Sequence, residues 1–247
     1  PKIAPEPVED PKLSFSVTDR AVEFMRRQTE ASRPFYAQVS YYAVHDQIQT
    51  RAKTLEKYRD KGTPPRDFPP EFAAMLDDLD TCVGRLMNTI DELGIADTTY
   101  VFLASDNGGH QHRWNNPIYR AHLTGEISSQ TDEGEPTIPE DVATDERLPD
   151  NYPLRGAKQW LYEGGIRVPF VVRGPGIEAG SLSSEPVCLY DLLPTFVDLA
   201  GGSITSLPEE IDGGSLKPVL EGSGAVKRPL PGLVFHRPLL RFRRGKL

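Results

Sequence analysis

Two oxygen-bearing side chains, Asp106 and Asn107, stand together one residue after the end of the apolar segment Thr98–Ala104. That segment is rich in β-branched and aromatic residues, which predicts a buried strand. Ligands of open α/β sheets bind just beyond the carboxyl ends of the strands, and Ca²⁺ and Mg²⁺ prefer carboxylate and amide oxygens. The pair therefore predicts a divalent-cation site. We expect Gly108 and Gly109 to turn the backbone sharply and to leave room for a ligand.

The same residues also fit a hairpin, because Asn-Gly after a strand is a strong signal for a two-residue turn. However, the residues from His110 to Pro117 show no returning strand. A long amphipathic helix precedes the segment, as expected for an α/β unit. We therefore favour a ligand site over a plain turn.

A third polar candidate, His45, follows the alternating, β-prone segment Phe35–Tyr42, which predicts a strand. An imidazole at a strand end can hydrogen-bond or protonate a bound group. From position alone, a structural histidine with satisfied hydrogen bonds is an equal alternative.

Two cations, Arg155 and Lys158, lie in a glycine-bearing segment that leads to a predicted strand, Val168–Val172. Such a pair suits an anion, although from local sequence two surface cations are the more common explanation.

The elements that must position these residues show clear periodic patterns. Apolar residues recur at three- and four-residue steps from Phe72 to Leu93, which predicts a long helix ended by Gly94. A shorter helix is predicted from Asp191 to Ala200, with Pro194 tolerated in its first turn and Gly201-Gly202 ending it. Another is capped by Thr18 or Asp19 and runs through Met25. On the long helix we expect Cys82 to be a core residue, and the acids Asp77, Asp78, Asp80, Asp91 and Glu92 to form a solvated face.

Bulk properties restrict the class of protein. The chain has 247 residues, enough for one large α/β domain or two small ones, and a net charge of −8, which argues against nucleic acid as the main partner. No apolar run is long enough to span a bilayer. Two cysteines make neither a disulfide framework nor a zinc cluster. Because the chain begins with Pro1, we expect a fragment whose natural start is missing.

Residues 120–150 are polar, acidic and poor in pattern. Loops this long are uncommon in compact domains. Disorder and a substrate-shaping lid with Trp114, Tyr119 and His122 nearby both remain open.

Taken in order, several segments together resemble the sulfatase family, of alkaline-phosphatase-like fold. These segments cover nearly the whole chain. Each motif alone is modest evidence, but their occurrence in this order is specific to the family. They are Tyr42-Ala43-Val44-His45, Asp80 with Val83-Gly84-Arg85, Ser105-Asp106-Asn107-Gly108-Gly109-His110, Leu154-Arg155-Gly156-Ala157-Lys158, Glu163-Gly164-Gly165-Ile166-Arg167-Val168-Pro169, Asp191-Leu192-Leu193-Pro194-Thr195 and Asp212-Gly213-Gly214-Ser215-Leu216.

The resemblance implies an α/β fold, a three-layer sheet with helices on both faces, and hydrolysis of sulfate esters through a formylglycine nucleophile made from Cys or Ser. It implies that Asp106 and Asn107 bind Ca²⁺, with Mg²⁺ as the alternative, and that His45 and Lys158 are catalytic and contact the sulfate. It also places His110 and Arg155 among the substrate-binding residues. The partner would be a sulfated small molecule or sugar, and the parent would be periplasmic, secreted or lysosomal.

The sequence departs from the family at the nucleophile, which lies in a Cys/Ser-x-Pro-x-Arg motif. Neither Cys82 nor Cys188 is followed by that pattern. We therefore expect a chain truncated at both ends and inactive alone, with a partial α/β domain at 1–222 and the start of a C-terminal antiparallel subdomain at 223–247. Two other functions stay open: a phosphodiesterase or phosphonate hydrolase of the same superfamily, and a non-catalytic binding protein on the same scaffold.

Overall fold

The computed structural model describes residues 9–45, 47–62, 68–110, 151, 153–230 and 232–236. The predicted lid or disordered segment at 120–150, with Trp114, Tyr119 and His122, lies outside these residues. The chain divides into two compact units. The first is Pro1–Asp97 with His112–Glu146, and the second is Thr98–Gln111 with Arg147–Leu247. The predicted boundary between 222 and 223 stays a prediction.

Three helices build the first unit: α1 (Ser14–Glu30), α2 (Ala52–Arg59) and α3 (Pro70–Glu92). Helix α1 begins earlier than the predicted cap because Asp10 supplies the capping carboxylate, which accepts hydrogen bonds from the backbone N–H groups of Phe15 and Ser16 at 3.1 and 2.7 Å. Helix α2 was not predicted. Helix α3 confirms the long periodic pattern, with Gly94 in the left-handed conformation just beyond its end.

The apolar face of α3 forms the core of the first unit. Met75 and Cys82 are buried, which confirms the prediction for the cysteine, and Met75 packs with Ile48 and neighbouring partly buried side chains. Burial of Cys82 raises the pKa of its thiol. Across the core, Thr18 on α1 shares a hydrogen bond of 2.9 Å with the Tyr41 hydroxyl.

Two predictions for this unit are wrong. Residues 35–42 form no strand, since no described segment pairs with their backbone, and Tyr36 and Tyr42 remain more than half exposed. Asp78 does not belong to a solvated face. It is 6% exposed and pairs with Arg51 of the segment before α2 at 2.8 Å.

The Asp78 carboxylate accepts further hydrogen bonds from Thr54 at 2.6 Å and Thr50 at 2.8 Å, and from the Arg51 backbone at 3.1 Å. Burial alone would raise the pKa of Asp78, but these hydrogen bonds and the Arg51 side chain outweigh burial and hold the pKa below its usual value. The carboxylate therefore fixes the start of α2 against α3.

The second unit contains strands β1 (Val101–Ala104) and β2 (Phe170–Arg173), which pair antiparallel with Val101 opposite Arg173 and Ala104 opposite Phe170. In the described residues these two strands make up the sheet. On one face Phe102 contacts Phe196, with ring centroids 5.1 Å apart. The other face is open, because Leu103 is 45% and its partner Val171 58% exposed. The expectation that the first strand is buried is therefore wrong for the described residues, because Val101 and Phe102 are half-buried and Leu103 and Ala104 are exposed.

Short helices complete the second unit: α4 (Glu163–Ile166), α5 (Leu192–Leu199) and α6 (Lys217–Leu220). Helix α5 carries Pro194 in its first turn and is followed by Gly201 at φ 79°, as the sequence predicts. Its buried Thr195 accepts a hydrogen bond of 2.9 Å from the Leu216 backbone N–H. No helix among the described residues has the length and apolar character needed to cross a membrane.

Candidate functional site

The loop that follows β1 carries the predicted metal ligands. Its conformation is fixed locally, because the Ser105 hydroxyl donates to the Asn107 carbonyl at 2.8 Å and Asn107 Nδ2 donates to the Gly108 carbonyl at 2.9 Å. The residue between them, Asp106, is exposed at the tip of the loop, and Asn107 is half-buried. The two side chains therefore occupy the end of a strand, as predicted.

Backbone hydrogen bonds join this loop to the segment that contains Lys158. Gly108 N donates to the Gly165 carbonyl at 3.0 Å, and Lys158 N donates to the Gly109 carbonyl at 2.8 Å. Lys158 is thus held one hydrogen bond away from the loop that carries Asp106 and Asn107. His110 continues the same loop and is half-buried.

Glycines make this close approach possible. A Cβ atom on Gly108 would lie 1.9 Å from the Gly164 carbonyl oxygen, and one on Gly164 would lie 2.0 Å from the Gly156 carbonyl oxygen. The space beside Gly108 is therefore filled by backbone. The expectation that Gly108 leaves room for a ligand is wrong, and its real role is to let two backbone segments touch.

The sequence analysis did not predict one residue that holds these two loop segments together, Asn151. Its Nδ2 donates to the carbonyls of Gly109 at 2.9 Å and Gly156 at 3.3 Å, which ties the two segments together from the side. No local pattern marks it, because its partners are identified only once the loops are packed.

The donor set at the strand end fits a hard cation. Among the described residues, the Asp106 carboxylate makes no hydrogen bond or ion pair. Asn107 uses its Nδ2 within the loop, which leaves Oδ1 as a free acceptor. A carboxylate and an amide oxygen are ligands that Ca²⁺ and Mg²⁺ prefer, although Ca²⁺ takes about six to eight oxygens. Over the described ranges no group of three or more His, Cys, Asp or Glu side chains is placed to hold a metal.

The two predicted cations differ in setting. Lys158 is half-buried and lies in a tight turn, closed by a hydrogen bond of 3.0 Å from Trp160 N to the Ala157 carbonyl, with Gln159 at φ 74°. Arg155 is exposed, but its guanidinium carbon lies over the Tyr162 ring, 4.0 Å from the centroid. Neither residue is therefore a freely moving surface cation.

The remaining predicted site residue, His45, belongs to the first unit. Its backbone N–H donates to the Tyr42 carbonyl at 2.9 Å, and the residue is exposed. The side chain is accessible to a ligand, and its catalytic role stays a prediction. Cys82 is 0% exposed and so is not placed as a nucleophile. Cys188 is half-buried, and its backbone N–H donates to Asp191 at the start of a short 3₁₀ turn.

Comparison with known proteins gives a consistent family. The sequence model of the sulfatase family, described as "Sulfatase", matches residues 9–203. The chain is 30% identical to human steryl-sulfatase over 224 residues, which is 90% of this chain and 32% of that protein. It is 28% identical over 238 residues to a sulfatase of Formosa agariphila, covering 92% of this chain and 37% of the relative.

Solved structures share the fold. A crystal structure of Ps i-CgsB in complex with k-i-k-neocarrahexaose matches with a TM-score of 0.64 and 24% identity, over 86% of this chain and 39% of that one. The PsFucS1 sulfatase from Pseudoalteromonas sp. matches with a TM-score of 0.63 and 24% identity, over 92% of this chain and 38% of that one. The chain thus spans about a third to two fifths of the length of these proteins. Because the family model covers well over half of its residues, the chain belongs to the sulfatase family.

Proposed function

We propose that the full-length protein hydrolyses sulfate esters and that Asp106 and Asn107 supply part of a Ca²⁺ site, with Mg²⁺ as the alternative. The observation that carries the proposal is the neighbourhood of three residues. The Asp106 carboxylate and the Asn107 amide oxygen lie in one loop, and the Lys158 backbone N–H donates to Gly109 of the same loop at 2.8 Å. This arrangement occurs in a chain of the sulfatase family, whose named relatives include steryl-sulfatases and arylsulfatases.

Each residue has a distinct task in this proposal. A cation bound at the strand end would offset negative charge on the sulfuryl group. Asp106 provides a charged ligand, and Asn107 a neutral ligand oriented by its bond to Gly108. The Lys158 ammonium donates to a sulfate oxygen, where charge increases in the transition state.

His45 is proposed as a donor to the sulfate or ester oxygen, which would help the alkoxide to leave. The support for this role is the resemblance of its sequence segment and its exposure. His110 is retained as a proposed substrate-binding residue because it continues the loop of the metal ligands. The substrate is a sulfated small molecule or sugar.

The nucleophile is proposed to be a formylglycine contributed from outside these 247 residues. Two observations support this: Cys82 is fully buried, and neither cysteine precedes the Pro-x-Arg pattern. We therefore expect the 247-residue chain alone to show no turnover of an aryl sulfate. Hydrolysis by the isolated chain that His45→Ala abolishes would contradict this part of the proposal.

The decisive experiment measures Ca²⁺ binding by calorimetry and hydrolysis of 4-nitrophenyl sulfate in the full-length protein. Asp106→Ala should weaken Ca²⁺ binding and hydrolysis strongly, and Asn107→Ala should weaken both less, because it removes a neutral ligand. Asp97→Ala is the control, since Asp97 is an exposed acid just before the same strand.

Each other outcome rejects the proposal in a different way. Unchanged Ca²⁺ affinity in Asp106→Ala would reject the metal assignment. Turnover of 4-nitrophenyl phosphate or of an aryl phosphonate, without turnover of the sulfate, would favour a phosphodiesterase or phosphonate hydrolase. Ca²⁺ binding without turnover of any of these esters would favour a non-catalytic binding protein.

A further inference from the structure

Three neighbouring side chains, Trp160, Tyr162 and Arg155, lie near Lys158 in the sequence of the second unit; we call them the aromatic row. The rings of Trp160 and Tyr162 have centroids 6.1 Å apart and planes inclined by 34°. The Arg155 guanidinium carbon lies 4.0 Å from the Tyr162 centroid. Trp160 is 51% and Tyr162 41% exposed, so the row presents large aromatic surfaces to solvent.

The row is held in place by the backbone that also holds Lys158. Gly156 has φ 80°, and a Cβ atom there would lie 3.0 Å from Tyr162 Cβ and 3.4 Å from Trp160 Cβ. The Cβ atoms of both aromatic side chains therefore pack against Gly156. The Trp160 N–H closes the turn that contains Lys158 by donating to Ala157 at 3.0 Å. Trp160 and Lys158 thus belong to one hydrogen-bonded turn, with Tyr162 packed against Gly156 just before it.

The arginine at the end of the row keeps its hydrogen-bonding capacity. The guanidinium carbon lies over the Tyr162 ring, and the five N–H donors of a guanidinium lie in its plane, where the ring does not accept them. Within the part of the chain that the structure describes, the Arg155 side chain makes no hydrogen bond or ion pair. A planar fork of this kind recognises sulfate or carboxylate by two parallel hydrogen bonds.

We propose that the aromatic row is a substrate subsite that binds the ring of a sulfated sugar, with Arg155 binding a second anionic group on that sugar. This inference rests on the proposed hydrolysis of sulfate esters, and it makes these residues determinants of specificity. The axial C–H groups of a pyranose pack on an exposed aromatic face by dispersion, and its hydroxyls stay hydrated. A steroid or simple arene would instead need an enclosed apolar pocket, whereas the described surface here is open and ends in a cation.

The test measures binding of galactose monosulfate and galactose disulfate to the full-length protein by calorimetry. The wild-type protein should bind the disulfate more tightly than the monosulfate. Trp160→Ala should weaken binding of both sugars by about tenfold or more, and Trp160→Phe should restore most of the affinity. Arg155→Gln should weaken binding of the disulfate alone and so remove the difference between the two sugars.

Leu161→Ala is the matched control, because Leu161 lies between the two aromatic residues in sequence, is 49% exposed, and is not part of the stack. It should leave both affinities unchanged. Wild-type protein that binds neither sugar, or Trp160→Ala protein that binds both as tightly as wild type, would overturn the inference. Hydrolysis of 4-nitrophenyl sulfate tests the proposed function separately. Because calorimetry measures sugar binding without turnover, the subsite can fail this test while the protein still hydrolyses the aryl sulfate.

Discussion

Arg228 and Asp191 form a bidentate ion pair inside the second unit, with Nε to Oδ1 at 2.8 Å and Nη2 to Oδ2 at 2.7 Å. Their side chains are 8% and 0% exposed. The carboxylate also accepts from the backbone N–H groups of Gly214 at 3.0 Å and Cys188 at 2.7 Å. Hydrogen bonding to Asp191 raises the pKa of Arg228 further above its usual value. This single carboxylate therefore joins three separate chain segments at the start of α5.

Removal of one partner should be costly, because it leaves the other charge buried without compensation. Asp191→Ala should lower the free energy of unfolding by about 3–5 kcal/mol. Urea denaturation measures this change. Glu23→Ala is the control, since its ion pair with Arg27 lies on the exposed face of α1 with both side chains more than half exposed, and it should change stability by less than about 0.5 kcal/mol. Equal effects of the two substitutions would contradict a structural role for the buried pair.

The depressed pKa of Asp78 predicts acid sensitivity in the first unit. Because the pKa is lower in the folded than in the unfolded state, the stabilisation is fully present above the unfolded value and is lost as pH falls through the folded value. Asp78→Asn should lower stability at pH 7 by about 1–3 kcal/mol and flatten the loss of stability on acidification. Thermal unfolding at a series of pH values measures both effects. Asp80→Asn, at an exposed position of the same helix, should keep the wild-type pH profile.

Two glycine substitutions should have opposite signs. Gly108→Ala forces a Cβ atom to 1.9 Å from the Gly164 carbonyl oxygen, so it should destabilise the second unit by about 1–3 kcal/mol and displace the proposed metal ligands Asp106 and Asn107. Gly84 lies within α3 with nothing within 4 Å of an added Cβ. Gly84→Ala should therefore stabilise the protein by about 0.5–1 kcal/mol. Differential scanning calorimetry distinguishes them, and a stabilised Gly108→Ala variant would reject the packing argument.

The proposed role of Lys158 predicts a kinetic rather than a structural defect. In the full-length protein, Lys158→Ala should lower kcat/KM for 4-nitrophenyl sulfate by about a hundredfold or more. The folded state should be nearly unchanged, because the turn is closed by backbone atoms that the substitution retains. Lys53→Ala, on the exposed surface of α2, is the control. Near-normal turnover by Lys158→Ala would return this residue to the class of surface cations.

The sequence predicts best those features that depend on near neighbours. The periodic pattern of α3, the glycine after α5 and the acid-amide pair after β1 are all visible within a few residues. What could not be predicted depends on distant partners. Asp78 is buried because Arg51, 27 residues earlier, provides hydrogen bonds, and Gly108 is required because Gly164 approaches it. Residues 35–42 have the composition of a strand, but a strand also needs a partner backbone.

The antiparallel pair of β1 and β2 has a consequence for handling the protein. In the described residues each strand pairs with the other alone, so each has an outer edge whose N–H and C=O groups have no strand partner. Leu103 and Val171 form an apolar patch on the open face between those edges. Edges of this kind template pairing with other chains. Arg173, two residues from Val171 on the same exposed face of β2, is the charged side chain that opposes such pairing. We therefore expect Arg173→Val to promote self-association by growth of this sheet and Val171→Lys to suppress it.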